Sequence, residues 1–116
     1  MIFGAHVIVF THDAEADREF FRDVLDMASV VSGGGWLIFE MPPSELAFHP
    51  TDESPMNEIY LLCDDLVAEM QRLGSKGVVF SPVDDERWGT VTRFTLPGGT
   101  TIGLYQPKHV TALRRA

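Results

Sequence analysis

The chain has 116 residues, 45% of them hydrophobic and 22% charged, which is the size and composition of one globular domain. Its 9 basic and 17 acidic residues give a net charge of −8, which disfavours nucleic acid as a partner and weakly favours a cationic ligand. The single cysteine, Cys63, excludes an intrachain disulfide and any site built from several cysteines. No apolar run approaches the roughly 20 residues that span a bilayer, and the first ten residues lack a basic segment. We therefore expect a cytoplasmic protein with no signal peptide and no membrane partner.

The first half of the chain predicts a strand, a helix and three short strands. Residues 2–11 are rich in Val, Ile and Phe, which is typical of a strand covered on both faces. Asp13 and its neighbours can cap a helix in which Ala16, Phe20 and Val24 recur at intervals of four. Further strands are predicted at residues 29–32, 36–41 and 45–49, with a turn at the three glycines 33–35.

The second half repeats this order. A strand is predicted at residues 58–63, and a helix capped by Asp64 and Asp65 places Leu66, Met70 and Leu73 on one face. Strands at 78–81, 89–96 and 101–106 follow, the last two joined by a hairpin turn at residues 97–100.

The repeated order predicts an α+β domain made of two βαβββ modules. Module one covers about residues 1–50, a linker 51–56, module two about 57–107, and a tail 108–116. Neither module can bury both faces of its sheet alone, so we expect the modules to pack together or to exchange partners in a homodimer.

Several segments of the chain carry a family resemblance. They are His6-Val7-Ile8-Val9-Phe10, the helix Phe20-Phe21-Arg22-Asp23-Val24-Leu25, the segment 58–66 ending in Asp-Asp-Leu, Trp88-Gly89, and Leu96-Pro97-Gly98-Gly99 leading into 102–107. Together they resemble the vicinal oxygen chelate superfamily, which includes glyoxalases, bleomycin-resistance proteins and extradiol dioxygenases. The resemblance covers residues 1–107. It implies a glyoxalase-like fold in which the two modules form an eight-stranded cup, which small members build across a homodimer.

The resemblance also implies where a metal would bind. Metal-using relatives take their ligands from the first and last strands of each module, where this chain has His6 and Glu58. Gly103 stands where the last strand of module two should carry Glu, and Ala47 cannot bind a metal, although His49 lies two residues beyond it. Because a catalytic metal usually takes three protein ligands, we expect no cofactor, with a divalent metal held by His6, Glu58 and His49 as the alternative.

Each candidate residue has more than one interpretation. His6 can be a ligand, a polar pocket residue or a core histidine, and Glu58 can point inward or start its strand in solvent. Arg93 would anchor an anionic ligand if it points inward. The aromatic residues fill the core or stack on a ligand, and Gly103 would widen the cup floor. The predicted pocket residues are His6, Trp36, Phe48, His49, Glu58, Gly103 and Tyr105.

Two functions follow from these readings. The first is a metal-free protein that binds an apolar or cationic small molecule in its cup, similar to the drug-sequestering branch of the superfamily. The alternative is a divalent-metal-dependent lyase, thiol transferase or dioxygenase that uses His6 and Glu58. The sequence leaves open whether the chain is an enzyme.

Overall fold

The computed structural model describes residues 6–32, 34, 36–45, 47–54 and 56–113. In chain order the elements are α1 (Ala14–Asp23), β1 (Ser29–Val31), β2 (Leu37–Phe39), β3 (Tyr60–Leu62), α2 (Leu66–Gly74), β4 (Asp84–Glu86), β5 (Gly89–Thr95) and β6 (Thr101–Pro107). The predicted α+β class is confirmed. In the described part of the chain no helix is long and apolar enough to cross a membrane.

The described residues form two sheets. β1 and β2 make an antiparallel pair, and the larger sheet has the order β3-β6-β5-β4, with β3 parallel to β6 and the other pairs antiparallel. The predicted turn between β5 and β6 is confirmed, since Leu96 N–H donates to the carbonyl of Thr100 at 2.7 Å. Gly99 in this turn has φ of 101°, a conformation that glycine adopts without a steric penalty.

Both helices begin at the aspartates that the sequence predicts as caps. The side chain of Asp13 accepts the N–H of Ala16 at 3.1 Å, and the side chain of Asp65 accepts that of Ala68 at 3.0 Å. Each bond satisfies a backbone donor that the first helical turn leaves without an internal partner.

The core lies between the helices and one face of the four-stranded sheet. Phe94 of β5 and Ile102 and Leu104 of β6 are buried there against Leu66 and Leu73 of α2. Helix α1 adds Phe20, whose ring centroid lies 5.9 Å from that of Phe94. Because side chains alternate along a strand, the neighbours of these core residues, including Arg93 and Gly103, belong to the opposite face.

The outer strands predicted for module one are not formed in the described residues. Residues 6–11 are irregular, while 2–5 lie outside the described residues; 45 and 47–49 are also irregular, and 46 lies outside. A strand is stable when a neighbouring strand takes up its backbone hydrogen bonds, and in this part of the chain only β1 and β2 find such a partner. The described residues therefore hold six strands rather than the eight of the expected cup, and the module boundaries stay a prediction.

The strand predicted at residues 78–81 is also wrong. Ser81 N–H donates to the carbonyl of Arg93 at 2.8 Å, but the next residue, Pro82, has no N–H to continue the ladder. Pairing with β5 resumes at Asp84, where β4 begins.

Candidate functional site

A cleft of about 440 Å³ opens on the sheet face that the helices leave free. Its floor includes Tyr60, Arg93 and Gly103, which lie side by side on β3, β5 and β6. The volume lies within the range of small-molecule sites. The rest of the lining comes from two chain segments and the end of the β5–β6 turn: Val7, Ile8, Val9, Phe10, Met56, Asn57, Glu58, Ile59, Thr100 and Thr101.

Gly103 makes room for the ring of Tyr60. The register pairs Gly103 with Tyr60 on one side and with Arg93 on the other. A Cβ atom at Gly103 would overlap Cδ1 of the Tyr60 ring, so a larger residue would force the ring to move. The expectation that Gly103 widens the floor is therefore wrong, because the ring of its neighbour occupies the space.

The hydroxyl of Tyr60 joins two opposite charges. It donates to Oε2 of Glu58 at 2.5 Å and accepts from Nη2 of Arg93 at 2.9 Å. The guanidinium carbon of Arg93 lies 5.7 Å from the centroid of the Tyr60 ring. Burial, followed by the hydrogen bond to Glu58, raises the pKa of Tyr60 against the opposing effect of Arg93. The hydroxyl thus stays protonated at neutral pH, and the hydrogen bond with Tyr60 raises the pKa of Arg93.

Tyr105 supports Tyr60 from the side. Their rings meet edge to face with centroids 5.5 Å apart, and Trp88 packs on Tyr105 in the same manner at 5.4 Å. The hydroxyl of Tyr105 lies 3.2 Å from Nε2 of His109. Burial is the main cause that raises the pKa of Tyr105. Tyr105 therefore holds the floor in place without lining the cleft.

A buried contact holds two walls of the cleft together. Oδ1 of Asp17, on α1, accepts the N–H of Gly98 at 2.7 Å, and the carbonyl of Gly98 accepts the N–H of His12 at 3.2 Å. Gly98 precedes Thr100 and Thr101 of one wall, and His12 follows the 7–10 segment of the other. These bonds fix the distance between the two walls at that end of the cleft.

The cleft brings together two of the predicted pocket residues, Glu58 and Gly103. Phe48 is 88% exposed, and Trp36 lies on the surface with the guanidinium of Arg18 at 4.8 Å from its ring. The predicted residues that do not line the cleft are His6, Trp36, Phe48, His49 and Tyr105.

The side chains expected to hold a metal do not gather. Across the described residues, no group of three or more His, Cys, Asp and Glu side chains is placed to hold an ion. Oε2 of Glu58 is engaged by Tyr60, and Gly103 offers no donor atom. These residues do not fit the metal centre that the resemblance to metal-using relatives implies.

Sequence reasoning missed Tyr60, and it left the direction of Arg93 open. The spacing of two residues would place Glu58 and Tyr60 on the same face of a strand predicted at 58–63, so an inward Glu58 implies an inward Tyr60. The contact of Tyr60 with Arg93 depends on the pairing of both strands with β6, which no local pattern reveals.

Comparison with solved structures identifies the fold. An antibiotic binding protein, TnmS3 from Streptomyces sp. CB03234, matches with a TM-score of 0.65 and 24% identity over 93% of this chain and 100% of that chain. A glyoxalase/bleomycin resistance protein/dioxygenase superfamily member from Sphaerobacter thermophilus DSM 20745 matches with a TM-score of 0.64 and 20% identity over 90% of this chain and 98% of that chain. A lactoylglutathione lyase from Agrobacterium tumefaciens matches with a TM-score of 0.61 and 14% identity over 84% of this chain and 88% of that chain.

These similarities confirm the resemblance at the level of the fold. The chain has a glyoxalase-like fold, which it shares with these structures. Neither the protein-family models nor the curated proteins gave a match to the sequence.

Proposed function

We propose that the protein binds a small apolar molecule in the cleft without the help of a metal. The observation that carries this proposal is the exposed apolar lining over a polar floor: Val7, Ile8, Phe10 and Met56 all lie largely exposed around the cleft. Apolar side chains that converge on a concave surface favour ligand binding, because their removal from water lowers the free energy of the complex. A few polar groups on the floor, here Glu58 and Arg93, would orient that ligand.

The structural neighbours support binding as the function class. One of them is described as an antibiotic binding protein, so this fold holds small molecules in at least one case. A fold hosts many activities, however, and it is the cleft of this chain that supports ligand binding here.

A cationic ligand is the alternative to an apolar one. The net charge of −8 and the carboxylate of Glu58 support it, and Arg93 on the same floor opposes it. The cleft therefore favours an apolar ligand over one whose only polar group is a cation.

We infer that binding needs no metal because the donors expected for one do not converge. A lyase, thiol transferase or dioxygenase built on His6 and Glu58 would need at least one further ligand. We therefore propose a binding protein rather than a metal-dependent enzyme.

We also propose that the protein is a homodimer. Val30 and Val31 of β1 are 67% and 71% exposed, and Phe48 is almost fully exposed, so module one presents apolar surface that a second copy would cover. Light scattering that gives the 12.9 kDa mass of one chain across the micromolar range would contradict this. A cytoplasmic location, without nucleic acid or membrane partners, remains a prediction from composition.

Titration with the neutral fluorescent probe N-phenyl-1-naphthylamine tests the proposed function. Val7 lines the cleft, whereas Val79, which is 84% exposed, lies outside its lining, so the two valines form a matched pair. Val7→Ser should weaken probe binding about threefold to tenfold, the effect of losing part of one buried side chain. Val79→Ser should leave it unchanged. Equal binding by both variants would place the probe elsewhere and overturn the proposal.

A further inference from the structure

We propose that the cleft selects a zwitterion, a small molecule that carries a carboxylate and an ammonium close together on an apolar body, as a free amino acid with an apolar side chain does. This inference rests on the proposed ligand binding in the cleft and names the polar end of the ligand.

The floor presents one positive and one negative group that do not neutralise each other directly. Glu58 and Arg93 each bond to the hydroxyl of Tyr60, which lies between them, and the salt bridges of the described residues do not include a Glu58–Arg93 pair. The ring of Tyr60 fits in this position because Gly103 has no side chain, and the edge contact with Tyr105 supports it there. The two charges are therefore presented side by side on a fixed support.

Both charged groups keep bonding capacity for a ligand. A guanidinium has five N–H donors in a planar fork. In the described part of the chain one guanidinium nitrogen of Arg93, Nη2, is engaged, and its partner is Tyr60. The same fork matches the geometry of a carboxylate, which accepts two parallel bonds from it. Oε1 of Glu58 has no hydrogen-bond partner among the described residues and can accept from an ammonium.

The charges on the floor disfavour a ligand that carries only a positive charge or only a negative charge. A cation near the floor is attracted by Glu58 but repelled by Arg93, and an anion meets the reverse. A zwitterion places each of its charges against the opposite charge of the protein and meets no uncompensated repulsion. The overall charge of −8 acts at long range and is screened by salt, so these short contacts decide the selectivity.

The apolar body of such a ligand has a place beside the charges. Val7, Ile8 and Phe10 come from one wall, and Met56 lies two residues before Glu58 on another wall. Methionine adapts its shape to varied apolar partners, so this wall suits more than one side chain.

Calorimetric titration with three matched ligands tests the inference. We would use L-phenylalanine, its amide, which is a cation, and its N-acetyl derivative, which is an anion, and repeat the set with leucine and tryptophan. The zwitterion of at least one set should bind at least tenfold more tightly than both derivatives. Circular dichroism and melting temperatures confirm that each variant below is folded.

Two variants separate charge selection from a merely structural role. Glu58→Gln should abolish the preference for the zwitterion over the anion, and Arg93→Gln should abolish the preference over the cation. A structural role would weaken all three ligands alike and would not produce opposite changes in charge preference. Equal binding of the three ligands in every set, or a preference that both variants leave intact, would overturn the inference.

The neutral probe keeps this inference distinct from the proposed function. Probe binding that is sensitive to Val7→Ser, together with no zwitterion preference in any set, would refute the inference and leave the proposed function standing. If neither the probe nor any amino acid binds, the proposed function fails, and this inference fails with it.

Discussion

Oδ1 of Asp17 accepts the backbone N–H of Gly98 at 2.7 Å and thereby joins helix α1 to a turn 81 positions further along the chain. Asp17 is only 8% exposed, and its other oxygen has no hydrogen-bond partner among the described residues. A buried carboxylate is costly unless it is hydrogen-bonded, so the bond to Gly98 is what makes this position tolerable. The contact connects the two halves of the chain at the end of the cleft.

Removing this contact should destabilise the fold. Asp17→Ala leaves the N–H of Gly98 without its acceptor, which should lower the free energy of unfolding by about 1–3 kcal/mol in urea titrations. Asp23→Ala, at the exposed end of the same helix, is the control and should have little effect on that free energy, because it removes only an exposed ion pair with Arg22. Equal losses in the two variants would mean that the bond from Asp17 to Gly98 adds nothing specific.

Even the small side chain of alanine at position 103 should destabilise the fold. Gly103→Ala forces the ring of Tyr60 to move, which should cost about 1–3 kcal/mol of unfolding free energy, as overpacking does. Gly74→Ala is the control, because a Cβ there meets nothing within 4 Å.

A double variant identifies the source of this cost. In Tyr60→Ala the ring is gone, so adding Gly103→Ala should have little further effect on the free energy of unfolding. A coupling energy of about 0.5–3 kcal/mol in this cycle is expected for residues in contact. Additive effects would show that the Tyr60 ring is not what the new side chain meets.

The thiol of Cys63 should be unreactive at neutral pH. Burial is the main cause that raises its pKa from the ordinary 9.0 to about 11, with the acidic neighbours Glu69 and Asp64 adding to the rise. At pH 8 the thiolate population is then about 100-fold smaller than in the unfolded chain, so iodoacetamide should react correspondingly more slowly.

The pH dependence of this thiol has a definite sign. Because the folded state holds the proton more tightly, its contribution to stability is complete below pH 9 and is lost as the pH rises through about 11. Alkylation in urea provides the control. Equal rates in the folded and unfolded protein at pH 8 would contradict the burial of the thiol.

Protein purified without chelator should contain no stoichiometric zinc, nickel, iron or manganese. The reason is that, among the described residues, Glu58 has no two further ligands placed beside it, which a tight site requires. Elemental analysis measures this directly, and His6→Ala should leave the result unchanged. One bound ion per chain that disappears in His6→Ala would favour the metal-dependent enzyme instead.

Local features of the fold could be predicted from the sequence. Asp13 and Asp65 cap their helices through residues three positions away, and the turn at Gly99 depends on adjacent residues. Such signals lie within one short segment and need no knowledge of the tertiary structure.

The features that were predicted wrongly or not predicted depend on residues far away in the sequence. Residues 6–11 have a strand-like sequence but find no neighbouring edge in the described chain, so their pattern alone misleads. Tyr60 meets Arg93 across Gly103, and Asp17 meets Gly98, through contacts that no local periodicity encodes.

The most direct measurement is a nuclear magnetic resonance titration of the ¹⁵N-labelled protein with N-phenyl-1-naphthylamine. The backbone amide signals of Ile8, Tyr60 and Gly103 should shift together as the probe saturates the protein, because all three residues line the cleft. The amides of Gly74 and Val79, which lie outside that lining, should stay unchanged. Saturable shifts that cluster around Gly74 and Val79, with Tyr60 and Gly103 unmoved, would contradict the claim that the cleft is the ligand site.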